Sequence, residues 1–299
     1  RGMSAGRLPA APIHPVLAAE MAALPHDGQI TAIVRLHEQP PTDVAALGGP
    51  SGDAESRLQG IITSRQALAG EAQAPLLAHL AEQQAAGAVT SVTPFWIFNG
   101  MAVTGTPAAI EELASRPEVA SVGPDWQVVP AETTTQTAAE TWNVAMVGAP
   151  AAWKLGLRGA GQVIATLDSG ADLRHPDLAA TWRGGAGGWY DPFGQHATPA
   201  DLSGHGSNTL GVIVGGSAGG QPFGVAPGAR WIAARIFDDR GAGSSVAVHL
   251  AFQWLLDPDR NPATYDVPDL VNHSWTMSNA GCNEEFLADV DALYGAGIE

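Results

Sequence analysis

A single cysteine, Cys282, stands in the 299 residues, so the chain has no disulfide framework and no zinc-type thiolate cluster, and Cys282 reads as a structural thiol. Cations are scarce as well. The 14 Lys and Arg face 30 Asp and Glu, a net charge of −16, which argues against nucleic acid, whose phosphates need a basic surface, and against an anionic membrane face. No apolar run approaches the length of a membrane span. The opening residues lack the charged start and apolar stretch of a signal peptide. What remains is a chain 45% hydrophobic and only 15% charged, long enough to bury a sizeable core and to form two domains.

The stretch around which the rest is organised is Val163-Ile-Ala-Thr-Leu-Asp168-Ser-Gly170. A mostly apolar, β-branched run ending in Asp-Ser-Gly predicts a buried strand that delivers a carboxylate to the carboxyl edge of a sheet, where open α/β sheets place their chemistry. Such a carboxylate needs a partner. Gly204-His205-Gly206 opens an apolar helical run and supplies an imidazole. From there strands (162–168, 231–237, 270–274) alternate with helices (from 205, 244–256, 284–296), which predicts a parallel sheet with helices on both faces. Gly159-Ala-Gly161 precedes its strand, whereas a dinucleotide fingerprint follows one, so nucleotide binding is excluded.

Upstream, residues 1–27 carry Pro9, Pro12, Pro15 and Pro25 and read as a leader or one short helix. Gln29–Leu36 alternates as a strand, and 55–84 has helical spacing that Pro75 kinks or divides. Val89–Phe98 and Met101–Gly105 read as strands turned at Asn99-Gly100, a pair that accepts positive φ. Thr106-Pro107 caps a short helix, and Val119–Val129 returns as one strand. The order β-α-β-β-α-β over 28–130 fits a small ferredoxin-like α+β domain. Residues 131–141 are small and polar, an exposed linker of the kind that is readily cut, and 142–299 hold the α/β domain.

The ordered set Asp168-Ser-Gly with His175-Pro-Asp-Leu, Gly-His205-Gly, Gly224-Val-Ala-Pro227-Gly-Ala and Asp269-Leu-Val-Asn-His-Ser274-Trp resembles the subtilisin-like serine peptidases. Trp254-Leu-Leu-Asp-Pro-Asp and Cys282-Asn-Glu-Glu-Phe are most similar to its bacillopeptidase F branch. The resemblance implies a subtilisin-like α/β fold, incomplete at its carboxyl end, and a serine endopeptidase whose Asp168 orients and whose His205 acts as general base. It implies protein or peptide substrates lying against Gly241, Ala242 and Gly243 on one wall and Ser274, Trp275 and Thr276 on the other. It also implies that 28–130 is a propeptide occupying the cleft, that maturation falls between about Val129 and Glu140, and that the enzyme is extracellular.

The family nucleophile, a Ser in Gly-Thr-Ser, is expected beyond residue 299, so the chain as written is expected to be inactive. The alternative is a non-catalytic relative whose propeptide-like domain binds, chaperones or inhibits a peptidase. The family's Thr-His after His-Gly is replaced by Ser207-Asn208. Asp172 and Asp177 are hard oxygen ligands in a turn, and Asp177 resembles a calcium ligand. The loop that would complete that site, Gly215–Gly220, has no carboxylate and no Asn, so neither metal nor other cofactor is expected. His175, His196, His249 and His273 lack paired ligand spacing and read as satisfied or surface residues.

Overall fold

Helix α1 (Pro15–Ala23) starts at a proline, and the His14 side chain accepts from the Val16 N–H. The computed structural model describes residues 10–41, 53–132, 142–218, 220, 223–278 and 283–299. The chain divides into two compact units, Arg1–Asp43 with Gly60–Asp125, and Val44–Gln59 with Trp126–Glu299.

The first unit has the order β1 (Ile30–Leu36), α2 (Ala54–Ala85, joining this unit from Gly60), β2 (Val89–Phe95), β3 (Gly100–Gly105), α3 (Pro107–Ala114) and β4 (Val119–Pro124). Its sheet runs β2-β3-β1-β4, antiparallel throughout, which is the ferredoxin-like arrangement read from the element order. On one face of β1, Ala32, Val34 and Leu36 enter a core shared with Val103, Ile110 and Leu113, and Ile33 is buried on the other face. Helix α2 runs through Pro75 without dividing. Of the leader or one short helix expected over 1–27, the helix is found: Leu17 and Met21 of α1 lie in that core, and Ile13 bridges Val122, while Pro12 ahead of α1, Pro15 at its first turn and Pro25 beyond its end leave the helix intact.

The β2–β3 turn also differs in its physics. Neither Asn99 nor Gly100 has positive φ. Gly100 is required because a Cβ there would stand 2.4 Å from both the Phe98 ring and the Val34 carbonyl. Asn99 is fully buried, donating from Nδ2 to the Glu38 carbonyl (2.8 Å) and accepting from Gln73 (3.0 Å).

The second unit opens with β5 (Gln127–Pro130). The stretch expected as one strand over Val119–Val129 is therefore two, broken at Asp125-Trp126, and the halves lie in different sheets. Apolar alternation states that residues are extended, not which neighbour they pair with. Of the expected linker, 131 and 132 are described and 133–141 lie outside the described residues, as does Cys282.

Then follow α4 (Trp142–Met146), α5 (Ala149–Lys154), β6 (Val163–Asp168), α6 (Pro176–Ala179), β7 (Trp189–Tyr190), α7 (His205–Val214), β8 (Arg230–Arg235), β9 (Gly243–Ser244), α8 (Ser245–Leu256), β10 (Leu270–His273), β11 (Trp275–Met277) and α9 (Leu287–Gly295). Strands β10-β6-β8-β7 form a parallel sheet. Its central strands β6 and β8 are buried along almost their whole length, which is why they read as apolar runs rather than alternating ones. Trp231, fully buried, packs with Leu178, Leu210 and Val214 beneath the sheet. A second, three-stranded sheet, β11-β5-β9, stands apart from this one. No helix among the described residues is long and apolar enough to cross a membrane.

Candidate active site

Strand β6 ends on Asp168 at the carboxyl edge of the parallel sheet, and α7 begins on His205. Two glycines allow the strand end and the helix start to touch. A Cβ on Gly206 would stand 2.1 Å from the Gly170 carbonyl oxygen, and one on Gly170, at φ +127°, would stand 1.9 Å from that of Ala200. With neither present, Asp168 Oδ1 reaches His205 Nδ1 at 2.6 Å. The Asp168 side chain is fully buried and that of His205 only 8% exposed.

The carboxylate meets donors on both oxygens. Oδ1 also accepts from the Ser169 N–H (2.6 Å), and Oδ2 accepts from Thr209 Oγ1 (3.1 Å). Burial pushes the Asp168 pKa up; the hydrogen bonds from His205, Ser169 and Thr209 offset part of that rise but not all of it.

On the other side of the ring, His205 Nε2 meets the Ala131 carbonyl oxygen at 2.9 Å. Each ring nitrogen thus faces an oxygen acceptor. Both contacts are satisfied when the ring carries two protons, or when Asp168 holds one of them.

The start of α7 is held by a residue that the sequence reading missed. Gly204, at φ +82°, precedes the helix and brings no capping side chain. Asp201 serves instead: Oδ1 accepts from the N–H groups of Ser203 (3.0 Å) and Gly204 (2.8 Å) and from the Ser169 hydroxyl (2.9 Å). Its Oδ2 accepts from the N–H (2.8 Å) and hydroxyl (2.7 Å) of Ser207. Burial alone would raise this carboxyl, but those donors outweigh it and hold it below the usual range. An Asp four residues ahead of a His-Gly helix start is the available signal, read as an Asx turn and helix cap. Ser207 keeps a hydroxyl at the family's Thr, and that hydroxyl is used; Asn208 is exposed.

Both expected walls flank β5. Trp275 pairs with Pro130, Thr276 with Val129 and Met277 with Val128, while Gly243 pairs with Val128 and Ser244 with Gln127, all antiparallel. The Ala131 N–H donates to the Ser274 carbonyl (2.8 Å). Gly241, at φ +79°, and Ala242 form the turn on Asp238 that leads into β9, rather than lying in the ladder themselves. Beside Pro130 lies a cleft of about 250 Å³ whose lining includes Leu202, Ser203, Arg235, Phe237 and Gly241.

The remaining histidines separate. His175 caps α6, accepting from the Asp177 N–H. His196 faces Asp239 at 2.8 Å, and His273 packs against Phe252 and Trp275. His249 lies between Asp289 and Glu285. Asp177 Oδ1 accepts from the Ala218 N–H. Among the described residues no group of three or more His, Cys, Asp or Glu is arranged to hold a metal.

A parallel sheet flanked by helices, with Asp168 at one strand end hydrogen-bonded to a histidine at a helix start, is a subtilisin-like fold. Residues 159–297 match the subtilase family (peptidase S8), and the second unit carries a domain of that family. The chain is 31% identical to bacillopeptidase F of Bacillus subtilis over 264 residues, covering 80% of this chain and 18% of that protein. It is 32% identical to an alkaline protease of Alkalihalobacillus alcalophilus over 154 residues, 52% of this chain and 37% of that one. Its fold matches fervidolysin from Fervidobacterium pennivorans, described as a keratinolytic enzyme related to subtilisin, with a TM-score of 0.56 at 17% identity over 91% of this chain and 39% of that one. The chain thus spans well under half the length of each.

Proposed function

We propose that this protein is a serine endopeptidase that hydrolyses peptide bonds by acyl transfer, described here in a precursor form in which β5 fills the cleft. The observation that carries the reading is the His205 ring, with Nδ1 on a buried carboxylate and Nε2 on the carbonyl of an extended strand. In such a pair the aspartate fixes the imidazole and stabilises its cationic form, while Nε2 takes the nucleophile's proton and returns it to the leaving amine. The nucleophile is a serine hydroxyl supplied from beyond Glu299. Residues 28–130 act as the propeptide, and β5, which begins two residues after the first unit ends, is its tail. Substrates are proteins and peptides, bound by β-augmentation between Gly243 and Trp275-Thr276, and the enzyme works outside the cell.

The test is to express the full coding sequence and measure hydrolysis of denatured casein, with and without a fluorophosphonate that acylates active serines. Hydrolysis that the reagent abolishes, and that His205→Ala lacks, is expected. Absence of both hydrolysis and labelling would overturn the reading.

A further inference from the structure

The wall that carries Gly243 rises from a turn tethered to a buried cation, and we infer that this cation, Arg235, positions the wall for an extended substrate. The inference rests on the peptidase reading above and adds a positioning residue to it. Arg235 ends β8 directly opposite Asp168 of β6, and its side chain is 1% exposed. A buried guanidinium is costly unless it is paired and hydrogen-bonded. Among the described residues, every side-chain bond of Arg235 reaches one of two loops. Its Nη2 lies 2.5 Å from Asp239 Oδ1, while Nη1 donates to Gln195 Oε1 (3.3 Å) and stands 3.9 Å from Asp191 Oδ2. Although Arg235 is the register partner of Asp168, its charge is spent on Asp239 and not on the catalytic carboxylate.

The two loops are tied to each other at the same point. Gln195 Oε1 also accepts from the Asp239 N–H (3.1 Å), and His196 Nε2 lies 2.8 Å from Asp239 Oδ1. His196 and Arg235 together hold the Asp239 carboxyl below its usual range. The loop that supplies these partners is itself fixed, because Asp191 accepts from the N–H groups of Phe193, Gln195 and His196 (2.9, 2.9 and 2.8 Å).

Asp239 lies within the turn that becomes the wall. The Asp238 N–H donates to the Ala242 carbonyl (2.8 Å), Asp238 Oδ1 accepts from the N–H groups of Arg240 and Ala242 (2.9 Å each), and Phe237 bridges Gly243. Residues 237–243 are thus bonded as one hairpin, and Asp239 is where Arg235 grips it. Without that grip the hairpin keeps its internal bonds and loses its fixed place beside the cleft, so a substrate that pairs with Gly243 must order the hairpin as it binds.

The Ala131 carbonyl is at His205 and Val128 is opposite Gly243, so four residues span from the ring to the wall and one residue does not. The test compares kcat/KM of the full-length protein on the p-nitroanilides of succinyl-tetra-alanine and of acetyl-alanine. Arg235→Met should lower the ratio of the longer to the shorter substrate by roughly tenfold, the cost of ordering the freed loop. Arg235→Lys, which keeps the charge but loses the planar fork, should recover part of that ratio. Should Arg235→Met fail to fold, Gln195→Ala at an exposed position removes only the uncharged link, and should lower the ratio by roughly threefold, the worth of one neutral hydrogen bond. A ratio that holds its unaltered value in whichever variant folds, with both rates falling together, overturns the role of Arg235 and leaves the peptidase reading intact. Absence of hydrolysis of both substrates by the unaltered protein overturns both.

Discussion

Thr209 Oγ1 lies 3.1 Å from Asp168 Oδ2, one helical turn beyond His205, whose ring holds the other oxygen of the same carboxylate at 2.6 Å. Helix α7 therefore grips both oxygens through residues four apart, which share a face. Without Thr209, burial is less opposed and the Asp168 carboxyl moves further up. Thr209→Val is expected to lower turnover of the full-length enzyme by a cost of about 1–3 kcal/mol and to move the acid limb of its pH–rate profile to higher pH, with Thr209→Ser restoring both. Asp168→Asn should cost far more, about 10⁴-fold, because the imidazole then favours the wrong tautomer. A Thr209→Val profile that overlies the unaltered one would show that the second oxygen needs no donor.

Asp201 has its pKa held low by Ser207, Gly204 and Ser169 against the opposing effect of burial. A carboxylate depressed in the folded state stabilises above its unfolded value, about 3.9, and that contribution is lost as pH falls through the lower folded value. Asp201→Asn should therefore be less stable at pH 6, and the gap should close below about pH 4. Urea midpoints across that range measure it; a gap that persists unchanged at pH 3 would remove the electrostatic origin.

Asp266 runs the opposite way. Burial, together with the neighbouring charges of Asp259 and Asp257, pushes its pKa up to about 6, with Arg183 opposing. Between the unfolded value, about 3.9, and 6 the folded state binds the extra proton, so this group's contribution to stability falls as pH rises across that window and stays low above it. Asp266→Asn should raise Tm at pH 7 and lose its advantage by pH 4. An advantage that is constant with pH would mean that the carboxylate's charge is not what destabilises.

How much of this was legible in the sequence depended on the type of signal. Asp168 and His205 were legible because a buried strand ending in a carboxylate, and a glycine-flanked histidine opening a helix, are local patterns. The walls around Gly243 and Ser274–Thr276 came from the resemblance, and β5 lies between them. The break between the two strands was not legible, since Gln127–Pro130 continues the alternation of Val119–Pro124 while pairing with different partners. Thr209 and Asp201 were passed over because each acts through one particular hydrogen-bonding geometry rather than through periodicity.

His249 was read as a satisfied or surface residue, and its environment makes a stronger statement. It is fully buried on α8, with Nδ1 2.8 Å from Asp289 Oδ1 and Nε2 3.1 Å from Glu285 Oε1, beneath the Phe286 ring. Asp289 is itself fully buried and its Oδ2 has no hydrogen-bond partner. Burial opposes charge on the imidazole, but the two carboxylates outweigh it and raise its pKa. A raised histidine contributes stability that is fully present below its unfolded value, about 6.5, and is lost as pH rises through the folded value. His249→Gln would leave the Asp289 charge buried without a cation, a loss of about 3–5 kcal/mol. The expected result is a large stability gap between the two proteins at pH 6 that narrows toward pH 9, read from urea unfolding. A gap of equal size at both ends would mean that His249 holds α8 to α9 by packing and neutral hydrogen bonds, with no proton taken up on folding.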